Sequence, residues 1–557
     1  MKLKYNNRQK FKPILPDHDE WPVVKMSKNR DAFIKEVADT TYNQVKKIRP
    51  GTSLLIQELE TTRHLEKLRL QKEPWEVDPD DEVAFWQKVK SELMEISGKD
   101  NTNKKEDEIL HRILDRYASE IAGNFKPSYY QFTRKVVTFG FARLLNASQS
   151  RLFSGLFKGD RTLRDKIRIR GQVDQIRELA KKGTIVMVPT HFSNLDSILI
   201  GWVIHELGLP PFIYGAGLNL LNMSLFAYFM NSVGAYKVDR RKKNHIYLET
   251  LKAYSNLAIQ KGSHSLFFPG GTRSRSGKIE NKLKLGLLGT ALDAQRSVLR
   301  DDPDKKIFIV PVVLNYNFVL EAPSLINQYL ERKGQERYYI DTDNYTNSYK
   351  IVKFLFKFFT KQAEISVTIG NAMDLFGNYV DNDGNSRGKL GQQIEPKDYF
   401  LKDNKIFIDK QRDEEYTRLL SQRIIQEFHK FNEVLPSHIV AFVAYLLFRK
   451  QFVDLDLYSF LRLPEDELTL DFNLFKENVS SVAQVLHDME GEEKVLLAPE
   501  FEKTLDELLN TGLNNLGMYH AKRPLLLNQK GEIITQDLNL LYFYHNRLDG
   551  YNLDHYV

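Results

Sequence analysis

The sequence predicts an α/β fold: a mixed, largely parallel sheet flanked by helices, set between helical N-terminal and C-terminal regions. Two observations predict it. Between about residues 126 and 378, short β-rich runs alternate with helical stretches, as they do where helices cross over between parallel strands. Outside that segment, apolar residues recur at the three- and four-residue spacing of amphipathic helices.

Residues 1–125 form a helical, highly charged N-terminal region. Asp31–Lys47 and Asp81–Ile96 carry the helical period. Between them, Glu73-Pro74-Trp75 and Asp78-Pro79-Asp80-Asp81 break the chain and offer an N-cap, and Asn101 to Glu106 reads as a polar loop. Residues 126–378 read as the α/β domain, with strands expected at Thr184–Pro189, Phe212–Tyr214, Ala235–Val238, Ser265–Phe268, Ile307–Val313 and Glu364–Ile369. Sheets of this kind bind their ligands at the carboxyl ends of the strands. Residues 379–413, rich in Gly, Asn and Asp, read as a surface insertion, and 414–557 as a helical C-terminal region.

Composition narrows the chemistry. The chain has 557 residues and no cysteine, which rules out thiolate nucleophiles, disulfides and Cys-ligated metals. Its net charge is +7, a mild excess whose placement matters more than its size. No window approaches the ~20 apolar residues of a spanning helix. The most apolar run, Ile439 to Phe448, is better read as a buried helix. Met1 to Pro16 is basic and lacks the apolar stretch of a signal peptide. These features predict no transmembrane helix; if the protein meets a bilayer it lies on it, peripheral or monotopic, and the lack of cysteine is compatible with the cytoplasmic face of a membrane. No metal site and no nucleic-acid-binding motif is read from the chain.

Three motifs carry chemistry. His191-Phe192-Ser193-Asn194-Leu195-Asp196 follows the apolar strand that ends at Val188-Pro189-Thr190. An aspartate five positions on, at a helix start, can bond His191 Nδ1 and leave Nε2 to take a proton from a hydroxyl. The same spacing also suits a histidine that merely caps a helix. In Phe267-Phe268-Pro269-Gly270-Gly271-Thr272-Arg273-Ser274-Arg275, a strand runs into a glycine pair and two arginines, which suits a phosphate monoester. Gly234-Ala235-Tyr236-Lys237-Val238-Asp239-Arg240-Arg241-Lys242-Lys243 is a second basic strand exit; alone, such a run is usually a solvated face.

Taken together and in order, with Ile309-Val310-Pro311-Val312-Val313, these blocks resemble those of the glycerolipid acyltransferase superfamily. The chain is most similar there to the bacterial membrane-bound glycerol-3-phosphate acyltransferases and their dihydroxyacetone-phosphate relatives. Gly215 to Leu220, Asn315-Tyr316 through Glu321 and Tyr542 to Leu548 carry that narrower likeness. The resemblance implies His191 as general base, Asp196 as its orienter, and Arg240, Arg273 and Arg275 on the acceptor's phosphate. It implies that Gly271 lets the backbone approach that phosphate, and that Pro311 shapes the acyl-donor side. The implied reaction forms lysophosphatidate for phospholipid biosynthesis from glycerol 3-phosphate and an acyl thioester, of coenzyme A or acyl carrier protein, with no cofactor.

Two departures from the pattern bear on the acceptor. Most of the superfamily has glutamate where this chain has Gly270, and Asp239 is the variant typical of lysophosphatidate acyltransferases. The alternatives they raise are acylation of 1-acylglycerol 3-phosphate and a non-catalytic, lipid-binding scaffold. Contact with an anionic membrane surface is expected through Tyr349 to Lys361, where Lys350, Lys353, Lys357 and Lys361 line one helical stripe opposite aromatics. A core helix with its lysines in water fits the same pattern. Tyr129 to Leu145 is a weaker candidate.

Overall fold

The computed structural model describes residues 11–75, 78–96, 105–132, 167–217, 234–302, 304–334 and 365–557. Five N-terminal helices come first: α1 (Pro22–Lys28), α2 (Arg30–Ile48), α3 (Thr52–Lys72), α4 (Glu82–Ile96) and α5 (Lys105–Ile121). In α5, Ile109, Leu110, Ile113, Leu114, Tyr117 and Ile121 are all buried, so one apolar stripe points inward along the whole helix. That stripe joins a core containing Val37, Leu55 and Trp86. The same core continues onto Ile213, Tyr236 and Tyr254 of the α/β domain. The N-terminal helices are therefore packed onto one edge of the sheet by a shared apolar core.

The sheet has seven strands among the described residues: β1 (Ile167–Gly171), β2 (Gly183–Pro189), β3 (Ile213–Gly217), β4 (Ala235–Val238), β5 (Ser265–Leu266), β6 (Lys306–Tyr316) and β7 (Ile365–Ile369). Their spatial order is β1-β7-β6-β2-β5-β3-β4. From β6 to β4 every neighbour is parallel, whereas β7 runs antiparallel to β6 and carries β1 with it. Strand β2 has six consecutive buried residues, as a central strand covered on both faces must. The helices α6 (Val173–Lys182), α7 (Asp196–Glu206), α8 (His245–Gln260), α9 (Leu285–Asp301) and α10 (Ala322–Gly334) complete this domain.

Residues 379–406 form short paired strands, and a Cβ added at Gly384 would stand 3.2 Å from the Phe308 ring of β6. The C-terminal part contains α11 (Lys410–Lys430), α12 (Pro436–Gln451), α13 (Phe472–Gly491), α14 (Leu505–Asn515) and α15 (Leu538–His545). It also has a small antiparallel sheet of Thr469–Asp471, Leu526–Leu527 and Glu532–Ile534, which the helical expectation did not include. The apolar run from Ile439 to Phe448 is the buried middle of α12, as read. No described helix is long and apolar enough to cross a membrane.

Two differences from the sequence reading have physical causes. The expected strand Ser265–Phe268 ends at Leu266, because the chain turns there and Gly271 N–H closes onto the Phe268 carbonyl at 3.0 Å. Strand β1 was not foreseen, since Ile-Arg-Ile-Arg alternates like a half-exposed strand or a short loop. Its arginines are in fact buried and paired, Arg168 with Glu500 and Glu433, and Arg170 with Glu433. The stretches Tyr349–Lys361, 133–145 and 218–220 lie outside the described residues.

Candidate active site

His191 leaves the carboxyl end of β2, and Asp196 is the first residue of α7. The five-residue gap is just enough for the loop to fold the carboxylate back under the imidazole. His191 Nδ1 lies 2.7 Å from Asp196 Oδ2, and that same oxygen accepts the Phe192 and Ser193 amide N–H groups at 2.7 and 2.9 Å. The Tyr316 hydroxyl, at the end of β6, donates to Asp196 Oδ1. A fully buried carboxylate is costly unless its lone pairs are taken; here four donors take them. Burial, then the adjacent Asp196 charge, pushes the Tyr316 phenol well above its ordinary range, so it stays a donor. The contact at Nδ1 favours the tautomer with its proton there and directs Nε2 away from Asp196. The imidazole stacks on Phe268, with centroids 4.1 Å apart.

The arginine loop after β5 is tied to this histidine loop. Ser274 N–H donates to the His191 carbonyl at 2.7 Å. Glu321 bridges the two loops: it accepts from Asn194 N–H at 2.9 Å and Ser193 Oγ at 3.1 Å, and from Arg273 Nη1 at 3.4 Å. Arg275 Nε donates to Gln328 Oε1 of α10 at 3.4 Å. Both arginines are half-buried. Gly271 has φ +78°, a conformation that L side chains rarely adopt, and this turns the loop before Arg273.

The C-terminal region reaches into the same place. At Gly277 a side chain would collide with the Phe543 carbonyl of α15, and Asn546 Nδ2 donates to the Ser276 carbonyl at 2.8 Å. Arg547 is buried behind the histidine loop, its guanidinium 3.9 Å over the Phe192 ring and its Nε 3.0 Å from Asn315 Oδ1. Burial pushes its pKa down to about 10, so it remains a cation at neutral pH.

Arg240 follows β4 and is exposed. Because β2, β5, β3 and β4 are parallel, its loop emerges on the same edge as His191, three strand spacings or roughly 14 Å along. Its neighbours go elsewhere. Arg241 bonds Asp239 and Asp78 at 2.8 and 2.5 Å and stacks on Trp75, while Lys242 pairs with Glu120 and Glu82. Asp239 is thus buried in an ion pair and positions the loop.

Pro311 sits in the sheet rather than in a loop. Between the pairs Ile309↔Met373 and Val312↔Ile369 the partner segment has one residue more, and Pro311 stands at this bulge, its carbonyl accepting Gly370 N–H. Tyr316, Glu321 and Arg547 fell within the blocks singled out from the sequence, but their contacts were not foreseen; nothing short of the fold brings them to His191. No cluster of three metal-ligating side chains occurs among the described residues.

The segment that carries these loops is similar to known proteins. A family model described as acyltransferase matches residues 170–315. The glycerol-3-phosphate acyltransferase of Pseudomonas paraeruginosa is 28% identical over 214 residues, which is 38% of this chain and 22% of that protein. The Aeromonas hydrophila protein of the same name is 34% identical over 166 residues, 29% of this chain and 20% of its own length. That of Ectopseudomonas mendocina is 25% identical over 329 residues, 58% of this chain and 34% of its own. The chain thus spans about a fifth to a third of the length of these relatives.

Proposed function

We propose that this chain, whose residues 170–315 are an acyltransferase domain of the glycerolipid acyltransferase family, acylates the first hydroxyl of glycerol 3-phosphate and forms lysophosphatidate. The observation that carries the reading is the junction of two loops: a His–Asp pair at 2.7 Å whose backbone and bridging glutamate hold the Arg273 loop against it. His191 Nε2 takes the acceptor's hydroxyl proton as the oxygen attacks the thioester carbonyl. The tetrahedral intermediate collapses with cleavage of the C–S bond, and the thiol leaves with the proton returned by His191. Arg273, Arg275 and, from further along the edge, Arg240 hold the acceptor's phosphate, where guanidinium forks match its oxygens.

The departure at Asp239 gives no support to a different acceptor, because that carboxylate is consumed by Arg241. The experiment supplies labelled acyl-coenzyme A, and separately acyl carrier protein thioester, to the purified chain with glycerol 3-phosphate or 1-acylglycerol 3-phosphate. Labelled lysophosphatidate from the first acceptor is expected. Consumption of the lysolipid alone would reassign the acceptor, and no product from either would favour the lipid-binding scaffold. Placement on an anionic membrane surface belongs to this proposal; co-sedimentation with phosphatidylglycerol vesicles, lost on neutralising the Lys350–Lys361 stripe, tests it.

A further inference from the structure

Gly270 and Gly271 are neighbours that are glycine for different reasons. Gly271 needs its positive φ, whereas Gly270 is not among the residues with positive φ, so its backbone would accept a side chain. What a side chain at 270 would meet is Glu280: a Cβ there would stand 3.0 Å from Glu280 Cγ and 3.2 Å from its Oε1. The space beside Gly270 is already occupied by a carboxyl group from ten residues further along.

That carboxyl is fastened to the histidine. Glu280 Oε1 accepts the His191 backbone N–H at 3.0 Å. With Ser274 N–H on the His191 carbonyl, Asp196 on its ring nitrogen and Phe268 against its face, every side of His191 but Nε2 is fixed. The second oxygen, Oε2, is buried and has no hydrogen-bond partner. Burial pushes the Glu280 carboxyl up to about 7, with Arg547 opposing the rise and Asp196 adding to it. An unpaired carboxyl oxygen in such surroundings costs stability, and side chains so perturbed cluster at functional sites.

We infer that Glu280 is a positioning residue of the transfer site, supplying beside His191 the carboxyl group that the glycine-rich loop lacks at position 270. The inference rests on the reading of His191 as the base. Gly270 and Glu280 are then one unit, in which the glycine leaves the space that the Glu280 carboxyl group fills.

Glu280→Ala, Glu280→Gln, Gly270→Glu and the double variant Gly270→Glu/Glu280→Ala test this, each assayed for kcat and for KM with glycerol 3-phosphate. Loss of the buried hydrogen bond that holds the His191 backbone predicts that Glu280→Ala lowers kcat about 10- to 100-fold, with KM changing less than about threefold. Glu280→Gln, whose amide oxygen still accepts from His191, loses only about threefold. Gly270→Glu alone crowds Glu280 and also lowers kcat, while the double variant regains about tenfold over Glu280→Ala. A merely structural glutamate would show no such rescue. Glu280→Ala within twofold of the parent kcat, or a double variant no better than Glu280→Ala, overturns the inference. An unaltered protein that is itself inactive overturns the acyl-transfer reading instead.

Discussion

The two basic strand exits look alike in sequence, with five cations against one acid in each, yet the fold uses them in opposite ways. After β5, Arg273 and Arg275 stay half-buried at the surface edge and are held beside His191 by Glu321 and Gln328. After β4, Arg241 and Lys242 are drawn almost completely out of solvent by the N-terminal helices. Arg69, Glu66, Asp78, Glu82, Arg116 and Glu120 close a network around them. One exit keeps its arginines at the edge of the sheet beside His191; the other consumes charge to dock a domain and leaves Arg240 exposed. Local charge counts are blind to this, because Asp78 and Glu120 lie 163 and 122 residues from their partners at the second exit, and Glu321 lies 48 from Arg273 at the first.

The comparison can be broken by substitution, and the largest effect belongs to the docking exit. Burial alone would lower the Lys242 pKa, but Glu120, Glu66 and Glu82 outweigh it and raise it. Lys242→Ala abandons those carboxylates in the interior, and a loss of about 3–5 kcal/mol in urea unfolding is expected. At the catalytic exit, Arg273→Ala is expected to cost about 100-fold in kcat/KM with little change in that unfolding midpoint. If both variants lose stability alike, the division between the exits is wrong.

pH sharpens the same contrast. Burial raises Asp78 and Glu82, but Arg241 for the first, and Lys242 with Arg116 for the second, more than reverse this, so both carboxyls end below their ordinary values. Their contribution is present above the unfolded pKa and fades as pH falls through the folded one. Glu280, raised to about 7, has the opposite sign: its protonated form fits the fold, and stability is lost as pH climbs from 4.5 through 7. Glu280→Gln should remove up to about 3 kcal/mol of alkaline destabilisation, read from urea unfolding at pH 5 and 8. The smallest effect is Arg240→Ala, a rise of about tenfold in KM for glycerol 3-phosphate at unchanged stability.

Much of the fold was legible because its signals are local. Strands β2, β4 and β6 are apolar runs that end in turn residues, and Asp196 falls at a helix start where the spacing put it. The His191–Asp196 contact was legible for the same reason: both partners lie in one loop. What stayed hidden is long-range. Strand β1 carries two arginines whose burial depends on Glu433 and Glu500, more than 250 residues on. Glu280 is the lone acid among the basic residues from Arg273 to Lys284, and only the fold shows it filling the space beside Gly270. Arg547 belonged to a recognisable block, yet its place behind Phe192 follows from the packing of α15 on the arginine loop.

The central claim is that one imidazole, aimed by Asp196, deprotonates an alcohol held by the neighbouring arginines. Single-turnover transfer of labelled acyl thioester to glycerol 3-phosphate by His191→Ala, beside the unaltered chain, addresses it most directly. A fall of about a thousandfold, with glycerol 3-phosphate binding retained, is predicted. Transfer by His191→Ala at the parent rate would contradict it.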